Sequence, residues 1–272
     1  MAGHSLHDSG IVMSPACRLL FRAVLLLGLL LPLPGQADPR IVYLTFDDGP
    51  RPSTQDILEL LTREEVPGTF FLIGLHVLIS PHRQKILRNL QASPWVQVAN
   101  HSYTHANEQY RAFYSNPEGM VQDFQKNNEI LGFVTPPFPT RLPGRIDWRF
   151  DQFFTDSNHY PRNAPRAIPD GISRLFDNHF VLYGWDVEWM KNRKTRTMEP
   201  PENVAATVKQ RFATRHSVKP NKVVILMHDQ NFVGKEGMER LQTLIRIFKQ
   251  EGYCFDFMKN YGRIATTAEL LP

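Results

Sequence analysis

The chain has 272 residues, of which 42% are hydrophobic and 21% are charged. This composition is typical of a soluble globular protein and argues against a disordered chain. The formal net charge of +4 is too small to favour nucleic acid as a partner, and the length allows either one α/β barrel or two smaller domains.

The first 37 residues have the layout of a secretory signal peptide. Two arginines precede the apolar run Ala23–Leu33, and the small residues Gly35 and Ala37 follow it in positions typical of a cleavage site. A start at Met13 would give a leader of ordinary length. Because the run is shorter than the roughly 20 residues that span a bilayer, cleavage is favoured over a retained membrane anchor. We therefore expect an exported protein, periplasmic or secreted, without stable membrane insertion and with one folded domain over residues 38–272.

Strand-like and helix-like segments alternate along that domain. Hydrophobic periodicity and β-branched or aromatic content predict, in chain order, strand 41–46, helix 53–65, strand 68–73, helix 84–90, strand 95–99, helix 118–131, strand 180–185, helix 202–216, strand 223–227, helix 238–250 and strand 253–257. This alternation is typical of βα units around a largely parallel sheet. Seven prolines lie between Gly132 and Arg174, which predicts a long irregular segment that supplies substrate-contacting loops.

Two acidic residues end the first predicted strand. Asp47 and Asp48 stand directly before Gly49 and Pro50. Alone, such a run usually forms only a turn. Here it follows a hydrophobic strand, and the carboxyl ends of strands are where α/β barrels place their catalytic groups. A turn that begins at Gly49 can bring both carboxylates to the same edge of the sheet.

Histidines follow two further predicted strands. His101 and His105 come after strand 95–99, and their four-residue spacing would place both imidazoles on one side of a helical turn, close enough to share a cation. With Asp48 they would supply two nitrogens and one oxygen and leave coordination positions open. The same donor set suits non-haem iron oxygenases, in which Asp47 and His228 would have no clear task. His228 closes strand 223–227, and a third strand end with a titratable residue favours catalysis over a structural role.

In this order, the motifs resemble those of the polysaccharide deacetylase family, the carbohydrate esterase family 4 that includes the nodulation-type chito-oligosaccharide deacetylases. Thr45–Pro50 is similar to the first family motif, His101–His105 to the second and Leu226–His228 to the last. The resemblance covers roughly residues 40–260. It implies a distorted (β/α) barrel of about seven parallel strands and a hydrolase that removes acetyl groups from an acetylated glycan.

The resemblance also implies roles for the matching residues. Three of them would bind a divalent metal ion, for which zinc is expected: Asp48, His101 and His105. Asp47 would be the general base, His228 the general acid, and Arg141 would hold the base ionised. The third motif departs from the family pattern, because Arg141-Leu142-Pro143 is followed directly by Gly144 without an aromatic residue. The oxyanion contact is then expected from the backbone N–H of Gly144, since a backbone donor does not need the aromatic ring.

The fourth family motif is compressed into Trp185-Asp186-Val187-Glu188-Trp189. Either Asp186 or Glu188 could orient His228, and Glu188 is favoured because it directly precedes Trp189. Trp185 and Trp189 could form an apolar platform for a sugar ring, although residues this large are as often part of the core.

Two other functions stay open at this point. A hydrolase of the same fold could cleave another carbon–nitrogen amide bond, and a catalytically silent member could bind glycan without turnover. Acetate release from acetylated oligosaccharides would decide between the deacetylase and the other hydrolase, and glycan binding without acetate release would indicate the silent member. The glycan, the choice between N-acetyl and O-acetyl groups and the oligomeric state are left open by the sequence.

Overall fold

The computed structural model describes residues 39–150, 153–156, 169–192, 194–195 and 197–262. The expected leader over residues 1–37 lies outside them. The strands are β1 (Ile41–Gly49), β2 (Gly68–Leu72), β3 (Val96–Asn100), β4 (Phe138–Thr140), β5 (Asp147–Phe150), β6 (Phe153–Asp156), β7 (Phe180–Leu182), β8 (Val187–Glu188), β9 (Lys222–His228) and β10 (Cys254–Phe255). The α-helices are α1 (Pro52–Glu64), α2 (Gly74–Leu78), α3 (Pro81–Ala92), α4 (Tyr110–Tyr114), α5 (Pro117–Leu131), α6 (Pro169–Asp177), α7 (Pro201–Thr214) and α8 (Gly234–Gln250).

All of these strands belong to one sheet, with the order β6-β5-β7-β4-β3-β2-β1-β9-β8 and with β10 beside the start of β1. Within the described residues, eight strands run parallel to a neighbour, whereas β5 and β6 form an antiparallel hairpin that continues the sheet from β7. The predicted α/β fold with a largely parallel, barrel-like sheet is confirmed. None of the helices in the described ranges is long and apolar enough to cross a bilayer.

Side chains of β1 alternate between two cores. Val42, Leu44 and Phe46 pack in an outer cluster with apolar residues of α1 and α8, whereas Ile41 and Tyr43 pack in an inner cluster of aromatic and aliphatic residues. This is the two-residue period of a strand that is covered on both faces.

The same alternation sets which side of the sheet the last residues of β1 and β9 face. β9 pairs with β1 residue by residue, so that Asp47 lies opposite His228. Val223, Ile225 and Met227 belong to the outer cluster, so His228 is directed towards the inner side of the sheet. Both titratable residues therefore reach the same end of the same face.

The expected irregular segment between Gly132 and Arg174 contains more regular structure than its prolines predicted. β4, β5, β6 and α6 lie within or across it, so the prediction is wrong for those stretches. Pro139 occupies a strand of only three residues, and Pro169 begins α6, where a missing N–H costs nothing. Residues 151–152 and 157–168 lie outside the described part of the chain.

Candidate metal centre and catalytic site

A bulge at the end of β1 turns the two neighbouring aspartates towards one site. The register with β2 shifts between Asp47 and Gly49, and Asp48 has φ 68°. Aspartate is one of the few residues that adopts this left-handed conformation with modest strain. Because a bulged residue leaves the two-residue alternation, Asp48 does not point into the outer core.

Three residues hold Asp48 in this position. Its carbonyl oxygen accepts hydrogen bonds from His76 Nδ1 at 2.7 Å and Arg51 Nε at 3.3 Å. Its Oδ2 accepts one from Gln230 Nε2 at 3.1 Å, and its Oδ1 is buried without a hydrogen-bond partner among the described residues. A buried carboxylate oxygen without a donor is costly unless a cation approaches it.

The donor atoms of the two motif histidines approach this oxygen. His101 Nε2 lies 3.6 Å and His105 Nε2 lies 3.5 Å from Asp48 Oδ1, which is too long for hydrogen bonds. Ligand atoms bound at about 2.1 Å to a shared tetrahedral ion lie about 3.4 Å apart. One ligand atom from each of the three residues lies within 4.8 Å of the others. The donor set and its spacing therefore fit a divalent cation.

The electrostatics of the three residues favour their ligand forms. His101 Nδ1 donates to the Arg141 carbonyl at 2.9 Å, which leaves Nε2 with its lone pair. Burial lowers the pKa of His101 to about 4, so the ring is neutral near pH 7. Burial would raise the pKa of Asp48, but the charges of His101, His105 and His228 outweigh that effect, and the pKa is lowered. His105 Nδ1 lies 3.3 Å from the Glu108 carboxylate, which orients that ring in turn.

The segment between the two histidines is not the helical turn that the spacing predicted. Ser102 and His105 have φ 65° and 52°, yet the two imidazole centroids are only 5.0 Å apart. Asp123 on α5 holds this loop, because its carboxylate accepts from Tyr103 N at 2.8 Å, Thr104 N at 3.3 Å and Thr104 Oγ1 at 2.7 Å. The proximity was predicted correctly, but the local conformation that produces it was not.

Asp47 is fixed by a buried arginine. Arg141 Nη1 donates to Asp47 Oδ1 and to Thr45 Oγ1, both at 2.8 Å. The same guanidinium donates to the Gly184 carbonyl at 2.8 Å and the Tyr183 carbonyl at 3.1 Å. Four hydrogen bonds satisfy a cation that is fully buried, which is the condition under which a buried ion pair is stable. Asp47 is therefore held as an oriented carboxylate beside the three clustered ligands.

The fold agrees with comparisons to known proteins. Residues 35–144 match the polysaccharide deacetylase family. This part of the chain is therefore similar to polysaccharide deacetylases. The family resemblance expected from the motifs is confirmed.

Several relatives of this chain carry informative names. A chitin disaccharide deacetylase of Vibrio alginolyticus is 25% identical over 305 residues, which cover 81% of this chain and 71% of that protein. A chitooligosaccharide deacetylase of Bradyrhizobium is 49% identical over 67 residues, or 24% of this chain and 29% of that protein. The catalytic domain of a peptidoglycan N-acetylglucosamine deacetylase from Eubacterium rectale superposes with a TM-score of 0.58 and 22% identity, covering 87% of this chain and 92% of that one. This last likeness concerns the fold.

The two acidic residues of the compressed motif, Asp186 and Glu188, have different surroundings. The Asp186 carboxylate accepts from the backbone N–H of Val224 at 2.8 Å and of Val218 at 3.1 Å, so it is committed to the main chain. Glu188 pairs with Leu226, two residues before His228 on β9, and its charge acts on Arg141. A supporting role for Asp186 has no basis in these contacts, whereas that of Glu188 stays a prediction.

The predicted substrate-contacting residues differ in their exposure. Trp189 has no exposed surface, and its Nε1 donates to the Glu199 carbonyl at 2.8 Å. The prediction that Trp189 forms a sugar platform is therefore wrong, because its ring is enclosed in the outer core. Trp185 is half-buried, 5.6 Å from the Arg141 guanidinium. Gly144 is exposed with φ 61°, and both remain candidate substrate contacts.

Asp229 is a buried carboxyl group that no motif identified as part of the site. Its Oδ2 accepts a hydrogen bond from Thr54 Oγ1, and its carbonyl accepts one from Ser53 Oγ at 2.8 Å. Burial raises the pKa of Asp229 to about 8, so it is mostly protonated near pH 7. A Cβ at Gly49 would lie 2.6 Å from Asp229 Oδ2, which explains why glycine follows the two aspartates. The signal in the sequence was only its position next to His228.

Proposed function

We propose that this protein is a metal-dependent deacetylase that removes N-acetyl groups, or O-acetyl groups, from an acetylated polysaccharide or oligosaccharide outside the cytoplasm and releases acetate. The observation that carries the proposal is the convergence of Asp48, His101 and His105 on the spacing of a shared cation. Asp47, which is held by Arg141, lies beside that cluster with one oxygen 3.6 Å from His101 Nε2.

Zinc is the ion that this donor set suits best. Two imidazole nitrogens and one carboxylate oxygen, with coordination positions left for water and substrate, are typical of catalytic zinc. When bound, such an ion supplies Lewis acidity, which polarises a carbonyl group and makes water a better nucleophile near neutral pH. Asp48, His101 and His105 would hold it.

The protein's own groups would then move protons. Asp47 is the general base, because it is the neighbouring carboxylate that is not among the three ligands, and the hydrogen bond from Arg141 orients it. It takes a proton from the attacking water, while His228 gives a proton to the departing amine. The backbone N–H of Gly144 donates to the oxygen that becomes negative. Cleavage of the acetamide C–N bond by water gives acetate and a free amino group.

The glycan class follows from the leader and the relatives. An exported chain meets polysaccharides of the cell envelope or the surroundings rather than metabolites. The relatives found by sequence are named for chitin disaccharide and for chitooligosaccharide. We therefore infer that the substrate is a glycan that contains N-acetylglucosamine.

The test is acetate release by the metal-reconstituted protein from chitin oligosaccharides, peptidoglycan and acetylated xylan. We expect acetate from the N-acetylated glycans, and none from a matched preparation of Asp47→Asn. Glycan binding without acetate would indicate a silent binding protein. Hydrolysis of a different amide without acetate release would indicate the other hydrolase function, and either result would refute the proposal.

A further inference from the structure

Two arginines donate to the backbone of the turn that follows β1, and neither has an acidic partner among the described residues. Arg51 Nε donates to the Asp48 carbonyl, and Arg83 Nη1 donates to the Pro50 carbonyl. Neither guanidinium forms an ion pair with a carboxylate among the described residues. Both are half-buried, so the two cations are held close together by the backbone of residues 48–50.

Their surroundings increase the positive potential. Arg51 is the N-cap of α1 and Arg83 lies in the first turn of α3, and neither helix has an acidic residue in its first turn. Helix N-termini carry partial positive charge, so they disfavour cations and favour anions. The pKa of Arg83 is lowered by burial and by the charge of Arg51.

The hydrogen bonds to the two backbone carbonyls do not explain why both side chains are charged, because an uncharged amide side chain could donate the same hydrogen bonds. An anion that binds between the two guanidinium groups would compensate their positive charge and that of the two helix N-termini. Arginine is suited to this task, because its planar guanidinium matches carboxylates and phosphates. Asp48 links this pair to the metal centre, since its carbonyl contacts Arg51 and its side chain belongs to the ligand cluster. An anion bound here would therefore lie beside the turn that carries Asp48.

We propose that Arg51 and Arg83 form a subsite for an anionic substituent of the glycan, a carboxylate or a phosphate ester close to the acetylated sugar. This inference rests on the proposed function and narrows its substrate to an acidic glycan. Neutral chitin oligosaccharides would then be poorer ligands than acidic ones of the same length.

The test compares three tetrasaccharides that share N-acetylglucosamine: chitotetraose, an alternating glucuronate polymer fragment, and chitotetraose with a phosphate monoester. Their dissociation constants are measured by calorimetry on the metal-free protein, so that binding is read separately from catalysis. We expect Arg83→Gln to reduce the preference for the anionic ligands over chitotetraose about tenfold, the size of one charge-assisted contact. The two anionic ligands distinguish carboxylate from phosphate recognition.

Two variants control for side effects. Arg88→Gln removes an exposed cation from the same helix and should leave the preference unchanged, whereas Arg83→Lys should retain part of it. An unchanged preference in Arg83→Gln, or an equal loss of affinity for chitotetraose, would overturn the subsite.

Normal acetate release without any preference for anionic ligands would leave the proposed function intact and refute only this inference. Absence of acetate release by the metal-reconstituted protein from chitin oligosaccharides, peptidoglycan and acetylated xylan would refute the proposed function, while the binding data would still test the subsite.

Discussion

Adjacent residues of the same type have different tasks here because the backbone separates them. Asp47 lies in the regular ladder opposite His228 and is bound by Arg141, whereas Asp48 is bulged and keeps one oxygen without a donor. The sequence predicted that both carboxylates reach one edge. It could not predict the partners of Asp48, because Gln230 is 182 residues away along the chain and no motif includes it.

The first prediction separates the two aspartates. Asp48→Ala should lose bound metal, because it removes the only oxygen ligand of the cluster in the described residues. Asp47→Asn should retain metal and lose acetate release by at least about 100-fold, the usual range for a general base. Metal content by mass spectrometry of the purified proteins, together with acetate assays, checks both expectations. Equal metal content and equal loss of activity in the two variants would contradict the assignment.

The second prediction concerns Trp189. Because its ring is enclosed and packs 5.1 Å from Phe232, Trp189→Ala should lower the free energy of unfolding by about 3–5 kcal/mol. Trp189→Phe, which retains most of the apolar volume, should cost less. Urea unfolding measures both. A stable Trp189→Ala protein with weaker glycan binding would restore the sugar platform that the sequence suggested.

At the level of elements, the sequence predicted the long helices and strands with clear apolar periodicity best. β1, β9, α1, α5 and α8 have strong apolar periodicity, and their type and position were predicted within a few residues. The short strands β4 and β5 and the one-turn helix α4 carry too few residues for a periodic signal. The loop His101–His105 was misread because its conformation is set by contacts with α5 rather than by local spacing.

The third prediction tests that loop. Asp123→Ala removes three hydrogen bonds to the backbone and side chain of residues 103–104, so His105 should be less well positioned. We expect metal affinity to fall about tenfold, as for other residues that orient ligands. Metal titration calorimetry is the measurement, and Glu129→Ala, an exposed acid on the same helix, is the control. Unchanged metal affinity in a folded Asp123→Ala protein would contradict the role.

At the level of the whole molecule, parallel strands bring distant motifs together. The alternation of strands and helices predicted a parallel sheet, and a parallel sheet places the ends of β1, β3 and β9 along one edge. What the sequence could not give is the burial of each group, because burial depends on the packing of the entire chain. Asp229 shows this most clearly, since its pKa is raised by enclosure among residues that are remote in sequence.

The fourth prediction follows from that enclosure and concerns global stability. In the unfolded chain Asp229 loses its proton near pH 4, whereas in the folded protein it does so at about pH 8. Between these values the folded state binds the extra proton, so the contribution of Asp229 to stability falls as the pH rises, by at most about 1.4 kcal/mol per pH unit. Asp229→Asn cannot ionise and should lack this slope. From pH 4 to pH 8 the free energy of unfolding of the variant should therefore increase relative to that of the original protein. Above pH 8 the difference between the two proteins should stay constant. Denaturant titrations across that range provide the measurement. A constant difference between the two proteins at all pH values would show that Asp229 is ionised in the folded state.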